Sequence, residues 1–105
     1  VLSLHLNYSK DAENHGMEFF VTNTEQSEKS LAYAEMLAAK FADKEYNTER
    51  GIKHAPMFIL KNSNVPAIIF ELGFLSNEAD RLYLTSENGQ SEIAKTILEF
   101  IEEIK

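Results

Sequence analysis

The chain reads as an α/β domain, a twisted and mostly parallel sheet flanked by helices, with about four strands and three helices in 105 residues. Three observations predict this. Short strand-like runs alternate with polar segments along the chain. Intervening stretches place their apolar residues at helical spacing. One run, Ala67-Ile68-Ile69-Phe70, is apolar at consecutive positions, as in a central strand covered on both faces. With 44% hydrophobic residues the chain can bury one core, and it contains no repeat, low-complexity tract or linker.

In residues 1–7, Leu2, Leu4 and Leu6 fall on one face and Ser3, His5 and Asn7 on the other, the period-two signature of a strand. The polar stretch from Tyr8 to His15 reads as a loop. Gly16-Met17-Glu18-Phe19-Phe20-Val21 follows as a second strand, rich in aromatic and β-branched residues. From Ser27 to Ala42, the positions Leu31, Ala34, Leu37, Ala38 and Phe41 make the apolar stripe of an amphipathic helix. Residues from Asp43 to Ala55 are polar and include Gly51, which predicts a loop leading into a short third strand, Pro56-Met57-Phe58-Ile59-Leu60. After the turn material Lys61-Asn62-Ser63-Asn64, Val65-Pro66 introduces the central strand. Asn77 is placed to cap a short helix ending near Leu84, with Asp80 as the capping-box carboxylate. Asn88-Gly89 predicts a break, and Ile93, Ile97, Phe100, Ile101 and Ile104 form the stripe of a terminal helix.

Composition removes several function classes. A formal net charge of -7 makes nucleic acid an improbable partner, because a phosphate backbone would meet repulsion. The absence of cysteine removes disulfides, thiolate zinc sites and a cysteine nucleophile together. No apolar run reaches the length of a membrane span. The chain opens at Val1 within an alternating strand pattern and without a start methionine, so it is expected to be a piece of a longer protein.

The first chemical candidate is Glu71, which directly follows the most apolar run and precedes Leu72-Gly73-Phe74. A carboxylate there is costly unless it is paired, metal-bound or protonated, and the carboxyl ends of strands are where open α/β sheets bind ligands. The structural alternative is a carboxylate that caps a helix or pairs with a lysine. His5 is the second candidate: it lies near the carboxyl end of the first strand, and it shares a rim with Glu71 if the two strands run parallel. A lone strand histidine is more often a hydrogen-bonded structural residue than a metal ligand. His15 and His54 sit in polar stretches and read as solvated loop residues. Ser3, Ser63 and Ser76 lack a nucleophile-elbow context, and Gly73 lacks the further glycines of a phosphate loop.

Taken together, these segments resemble the zinc-dependent N-acetylmuramoyl-L-alanine amidases of the type 3 family. Ser3-Leu4-His5-Leu6-Asn7 is similar to that family's S-I/L-H-x-N, and Gly16-Met17-Glu18-Phe19-Phe20 to its G-x-E-x-F/Y-F/Y strand. Arg50-Gly51-Ile52-Lys53 matches R-G-V/I-K, Met57-Phe58-Ile59-Leu60 matches F/Y-x-V-L, and Val65-Pro66-Ala67 matches M/V-P-A/S. Phe70-Glu71-Leu72-Gly73-Phe74-Leu75-Ser76-Asn77 resembles V-E-x-G-F-L/I-S-N. Order and spacing agree over essentially the whole chain.

The resemblance implies hydrolysis of the amide between N-acetylmuramic acid and L-alanine of peptidoglycan, with zinc (Zn2+) as cofactor. By position, His5 would be a zinc-binding histidine and Glu71 the catalytic glutamate that moves a proton. The family's first histidine and its ligand glutamate would lie upstream. Residues 1–105 would thus be the C-terminal part of a catalytic domain, inactive when isolated because one histidine does not hold zinc at catalytic affinity. A periplasmic, cell-wall or secreted location follows, a phage endolysin included. The competing readings are a metal-free amidase-like module that binds peptidoglycan or regulates an amidase, and an unrelated acidic α/β domain in which Glu71 is a buried ion-pair partner.

Overall fold

The run introduced by Pro66 becomes the middle of the sheet. In the computed structural model, which describes residues 1–22, 26–56 and 62–105, four strands are seen: β1 (Leu2–Asn7), β2 (Glu18–Val21), β3 (Ile52–His54) and β4 (Ile68–Phe74). They lie in the order β1-β4-β2-β3. β1 pairs with β4 and β2 with β3 in parallel, while β2 and β4 run antiparallel. The helices are α1 (Ser27–Asp43), α2 (Glu78–Leu84) and α3 (Glu87–Ile104). The predicted α/β class holds, as a mixed sheet in which two of the three pairings are parallel.

Alternation along the strands sorts side chains onto two faces. Phe19 lies opposite Phe70, and both rings are fully buried. Among the described residues, all three helices pack on this face. Leu37 and Phe41 of α1, Leu84 of α2 and Ile93, Ile97 and Phe100 of α3 share one cluster with Phe19 and Phe70. Phe70 is its centre, stacked on Phe19 at 4.5 Å between centroids and met edge-on by Phe41 at 5.1 Å. On the opposite face Ala67, Ile69 and Phe20 form a smaller apolar patch. Ile68, Ile69 and Phe70 are therefore buried on both sides, as their consecutive apolar character predicts.

The helix ends account for their sequences. Asn77 caps α2 by accepting from the Asp80 backbone N–H at 3.0 Å, and Ser86 caps α3 by accepting from the Gly89 N–H at 2.9 Å. Ser30, buried on α1, accepts from the Ala67 N–H at 3.0 Å and satisfies a backbone donor at the entry to β4. Tyr83 donates to Glu92 at 2.5 Å and Tyr46 donates to the same oxygen at 3.0 Å, which clasps α2, α3 and the segment after α1 together.

Three expectations need correction. The stretch from Asp43 to Ala55 is not all loop, because Ile52–His54 forms β3, held to β2 by bonds from the Phe19 N–H to Gly51 at 3.1 Å and the Ala55 N–H to Val21 at 2.9 Å. Its Lys53 and His54 are exposed, so it carries no apolar signal. The strand expected over Met57-Phe58-Ile59-Leu60 lies outside the described residues. Asn88-Gly89 does not break the chain but sits in the first turn of α3, where a Cβ on Gly89 would stand 2.0 Å from the Tyr83 carbonyl oxygen. Asp80 does not close a capping box on Asn77. Its Oδ2 instead accepts from the backbone N–H of Gly16 at 3.0 Å and of Phe74 at 2.9 Å, fastening the loop after β1 to the end of β4.

Candidate active site

The rim at the carboxyl ends of β1 and β4 gathers charge from neighbouring strands. His5 and Glu71 are direct register partners, and Glu71 is in turn the register partner of Glu18 on β2. Partners directly across a sheet point to the same face, so His5, Glu71 and Glu18 form one row opposite the helices. The two predicted site residues are thus brought together. His15 and His54 stay apart and exposed, as expected, although His54 belongs to β3 rather than to a loop.

Glu71 is half-buried, and its Oε2 is shut off from solvent with no hydrogen-bond partner among the described residues. Burial pushes its carboxyl above the ordinary carboxylate value; His5 pulls it back and Glu18 pushes it up again. An orphaned buried carboxylate oxygen is costly to folding, and such costs concentrate at functional sites. His5 is exposed, and its Nε2 lies 2.8 Å from the Ser3 Oγ two residues back on the same face. Ser3 therefore restrains the imidazole.

Glu18 has a different environment from Glu71. It is 4% exposed, pairs closely with Lys53 Nζ, and lies 3.4 Å from Arg50 Nε. Its charge is compensated locally, whereas that of Glu71 is not. The guanidinium carbon of Arg50 in turn lies over the Phe74 ring, 4.7 Å from its centroid. Phe74 reaches this face because the β1–β4 register shifts between His5 and Asn7, so that Asn7 pairs with Phe74 after an extra residue in β4. Gly73 sits in that irregularity, and a Cβ there would come within 3.0 Å of Leu84 Cδ1 and 3.1 Å of Asp80 Oδ2. The glycine lets β4 bend against α2.

Glu18 and Arg50 were visible in the sequence only as members of recurring segments. The available signal for Glu18 was its setting, Met17-Glu18-Phe19, a charge inside an apolar strand like that of Glu71. As for metal, no group of three or more His, Cys, Asp or Glu side chains among the described residues is arranged to hold an ion. His5 beside a carboxylate with an orphaned oxygen fits one corner of a zinc site, not a whole one.

Known proteins resemble the chain along nearly its whole length. The N-acetylmuramoyl-L-alanine amidase family profile matches residues 1–103. The chain is 28% identical over 96 residues to N-acetylmuramoyl-L-alanine amidase LytC of Bacillus subtilis (strain 168), covering 91% of this chain and 19% of LytC. It superposes on the N-acetylmuramoyl-L-alanine amidase of Clostridium difficile 630 with a TM-score of 0.88 at 26% identity, over 97% of this chain and 55% of that one. On the catalytic domain of the amidase CwlV from Bacillus (Paenibacillus) polymyxa var. colistinus the TM-score is 0.85 at 28% identity, over 98% and 55%. The chain thus spans about half the length of these solved structures. With the profile matched almost end to end, the chain belongs to the N-acetylmuramoyl-L-alanine amidase family.

Proposed function

We propose that this chain carries the catalytic carboxylate, Glu71, of a zinc-dependent amidase. The enzyme hydrolyses the bond between N-acetylmuramic acid and L-alanine in peptidoglycan, in the cell wall or otherwise outside the cytoplasmic membrane. The observation that supports this best is the buried, unpartnered Oε2 of Glu71 beside His5, where the neighbouring buried carboxylate of Glu18 is paired with Lys53. His5 is the residue suited to hold zinc here, with the remaining ligands supplied by a preceding part of the parent protein. Bound zinc supplies a Lewis acid for the amide carbonyl.

The steps assigned to this chain concern a proton. Glu71, with its basicity raised by burial, takes a proton from the attacking water as the new C–O bond forms. As the C–N bond breaks, it returns that proton to the departing alanine nitrogen. The products are a free muramic acid carboxyl and a free amine. Ser3 keeps the imidazole of His5 on the rim through the 2.8 Å contact.

The deciding experiment is Glu71→Gln in the full-length protein. Hydrolysis of a muramoyl-L-alanyl peptide should fall by about 10²–10⁴-fold, the range for a lost general acid–base. Melting temperature should be unchanged or higher, because an uncompensated carboxylate is removed. Activity near wild type would eliminate Glu71 from the mechanism. Zinc content should drop in His5→Ala and persist in Glu71→Gln; a full-length protein that binds no zinc would favour the metal-free binding module.

A further inference from the structure

Beside Glu71, Arg50 is a second charged residue at this rim with an unmatched polar atom: its buried Nε has no hydrogen-bond partner among the described residues. Its backbone is fixed by a turn, with the Gly51 N–H bonded to the Thr48 carbonyl at 3.0 Å, and by the bond from Phe19 to Gly51 that opens β3. Its guanidinium carbon lies 4.7 Å above the centre of the Phe74 ring and its Nε is 3.4 Å from Glu18 Oε2. Among the described residues the one ion pair of the Arg50 side chain runs through Nε, to Glu18. An arginine present only to neutralise Glu18 would turn its two-pronged edge toward that carboxylate. Lys53 already closes on the same oxygen of Glu18, so the trio carries one net positive charge in an acidic chain.

The residue also lines an open hollow of about 260 Å³ together with Asn14, His15, Asn47 and the exposed Glu13 and Glu49, whose charges are screened by solvent. We propose that Arg50 is a specificity-determining residue whose guanidinium receives a carboxylate carried on the peptide side of the amide presented to Glu71. This rests on the amidase reading for the identity of that amide. The sugar side is excluded by chemistry, because the only carboxyl of an N-acetylmuramoyl group is consumed in the amide itself.

The spacing fixes how far away the charge lies. Glu71 pairs with Glu18, and Gly51 lies one strand further on, so the backbone beside Arg50 is two strand spacings away, about 10 Å. An extended peptide advances about 3.3–3.6 Å per residue. The recognised carboxylate therefore belongs to the first two or three residues after the scissile amide. A planar fork held on an aromatic ring suits that group better than an ammonium would.

The test compares N-acetyl-L-alanyl-L-glutamate with its fully amidated counterpart, by titration calorimetry on the full-length protein. Wild type should bind the acid about tenfold more tightly, with the preference shrinking as salt rises. Arg50→Gln should abolish the preference, Arg50→Lys should keep part of it, and Glu71→Gln should retain it. Equal binding of the two probes by wild type would overturn the inference, whether or not any variant folds, as would a folded Arg50→Gln protein that still prefers the acid. The two readings fail separately. A protein that discriminates between the probes but cleaves no muramoyl peptide loses the amidase assignment and keeps the carboxylate subsite, while one that cleaves without discriminating loses only the subsite.

Discussion

Phe70 and Glu71 are adjacent in sequence and point into different environments. Phe70 is sealed beneath the helices among Phe19, Phe41 and Phe100, while Glu71 turns to the opposite face with His5 and Glu18 on either side. The helix side is apolar nearly throughout, and its polar groups are satisfied, as with Ser30 and the Tyr46, Tyr83 and Glu92 clasp. The rim side leaves Glu71 Oε2 and Arg50 Nε without a hydrogen-bond partner among the described residues. The contrast shows how strand alternation divides labour: one face stores stability and the other accepts its loss where a ligand must bind.

Replacing each neighbour by its own minimal change should separate the two faces. Phe70→Ala should cost about 3–5 kcal/mol, seen as a lower denaturant midpoint, because the cavity it leaves is walled by sheet and helices. If Phe70→Ala and Glu71→Gln destabilise equally, the division of labour is wrong. Next in size is Asp80→Asn, which weakens the two bonds joining the loop after β1 to β4 and should cost about 1.5–3 kcal/mol. Amide exchange at Gly16 and Phe74 should accelerate more than exchange in α3; uniform acceleration would mean that Asp80 supports the whole fold rather than the rim.

The smallest effect belongs to the polar clasp. Hydrogen bonds from Tyr83 and then Tyr46 hold the Glu92 carboxyl below its ordinary value. A depressed folded-state pKa contributes stability above the unfolded value, about 4.3 for glutamate, and loses it as the pH falls through the folded value. Burial and the bond to Glu92 push the Tyr83 phenol upward, so its contribution is complete below about pH 10 and is lost in stronger alkali. Melting curves of wild type and Glu92→Gln should differ between these limits and converge below pH 4; a difference that persists in acid would show that the clasp does not depend on ionised Glu92.

Glu71 and the main core elements were legible in the sequence for local reasons. A charge ending a four-residue apolar run, a cap at Asn77 and a helical stripe from Leu31 to Phe41 are each readable within a short window. What escaped depends on distance. Lys53 meets Glu18 across 35 residues, and Asp80 meets Gly16 across 64, contacts no window contains. β3 escaped because a three-residue strand with exposed Lys53 and His54 has no period to detect. Gly89 misled because glycine marks close approach as well as turns, and here the approach is of Tyr83 to the first turn of α3.

The extra residue in β4 makes the length of this strand part of its meaning. With it, Phe74 pairs with Asn7 and lies under Arg50; were β4 to continue in regular alternation from Glu71, Phe74 would turn toward the helices, the face that Leu72 already occupies. Substitutions around Gly73 can be judged by size, but an inserted residue there would change the reading frame in space, shifting the far half of the rim while leaving the composition of the strand almost untouched.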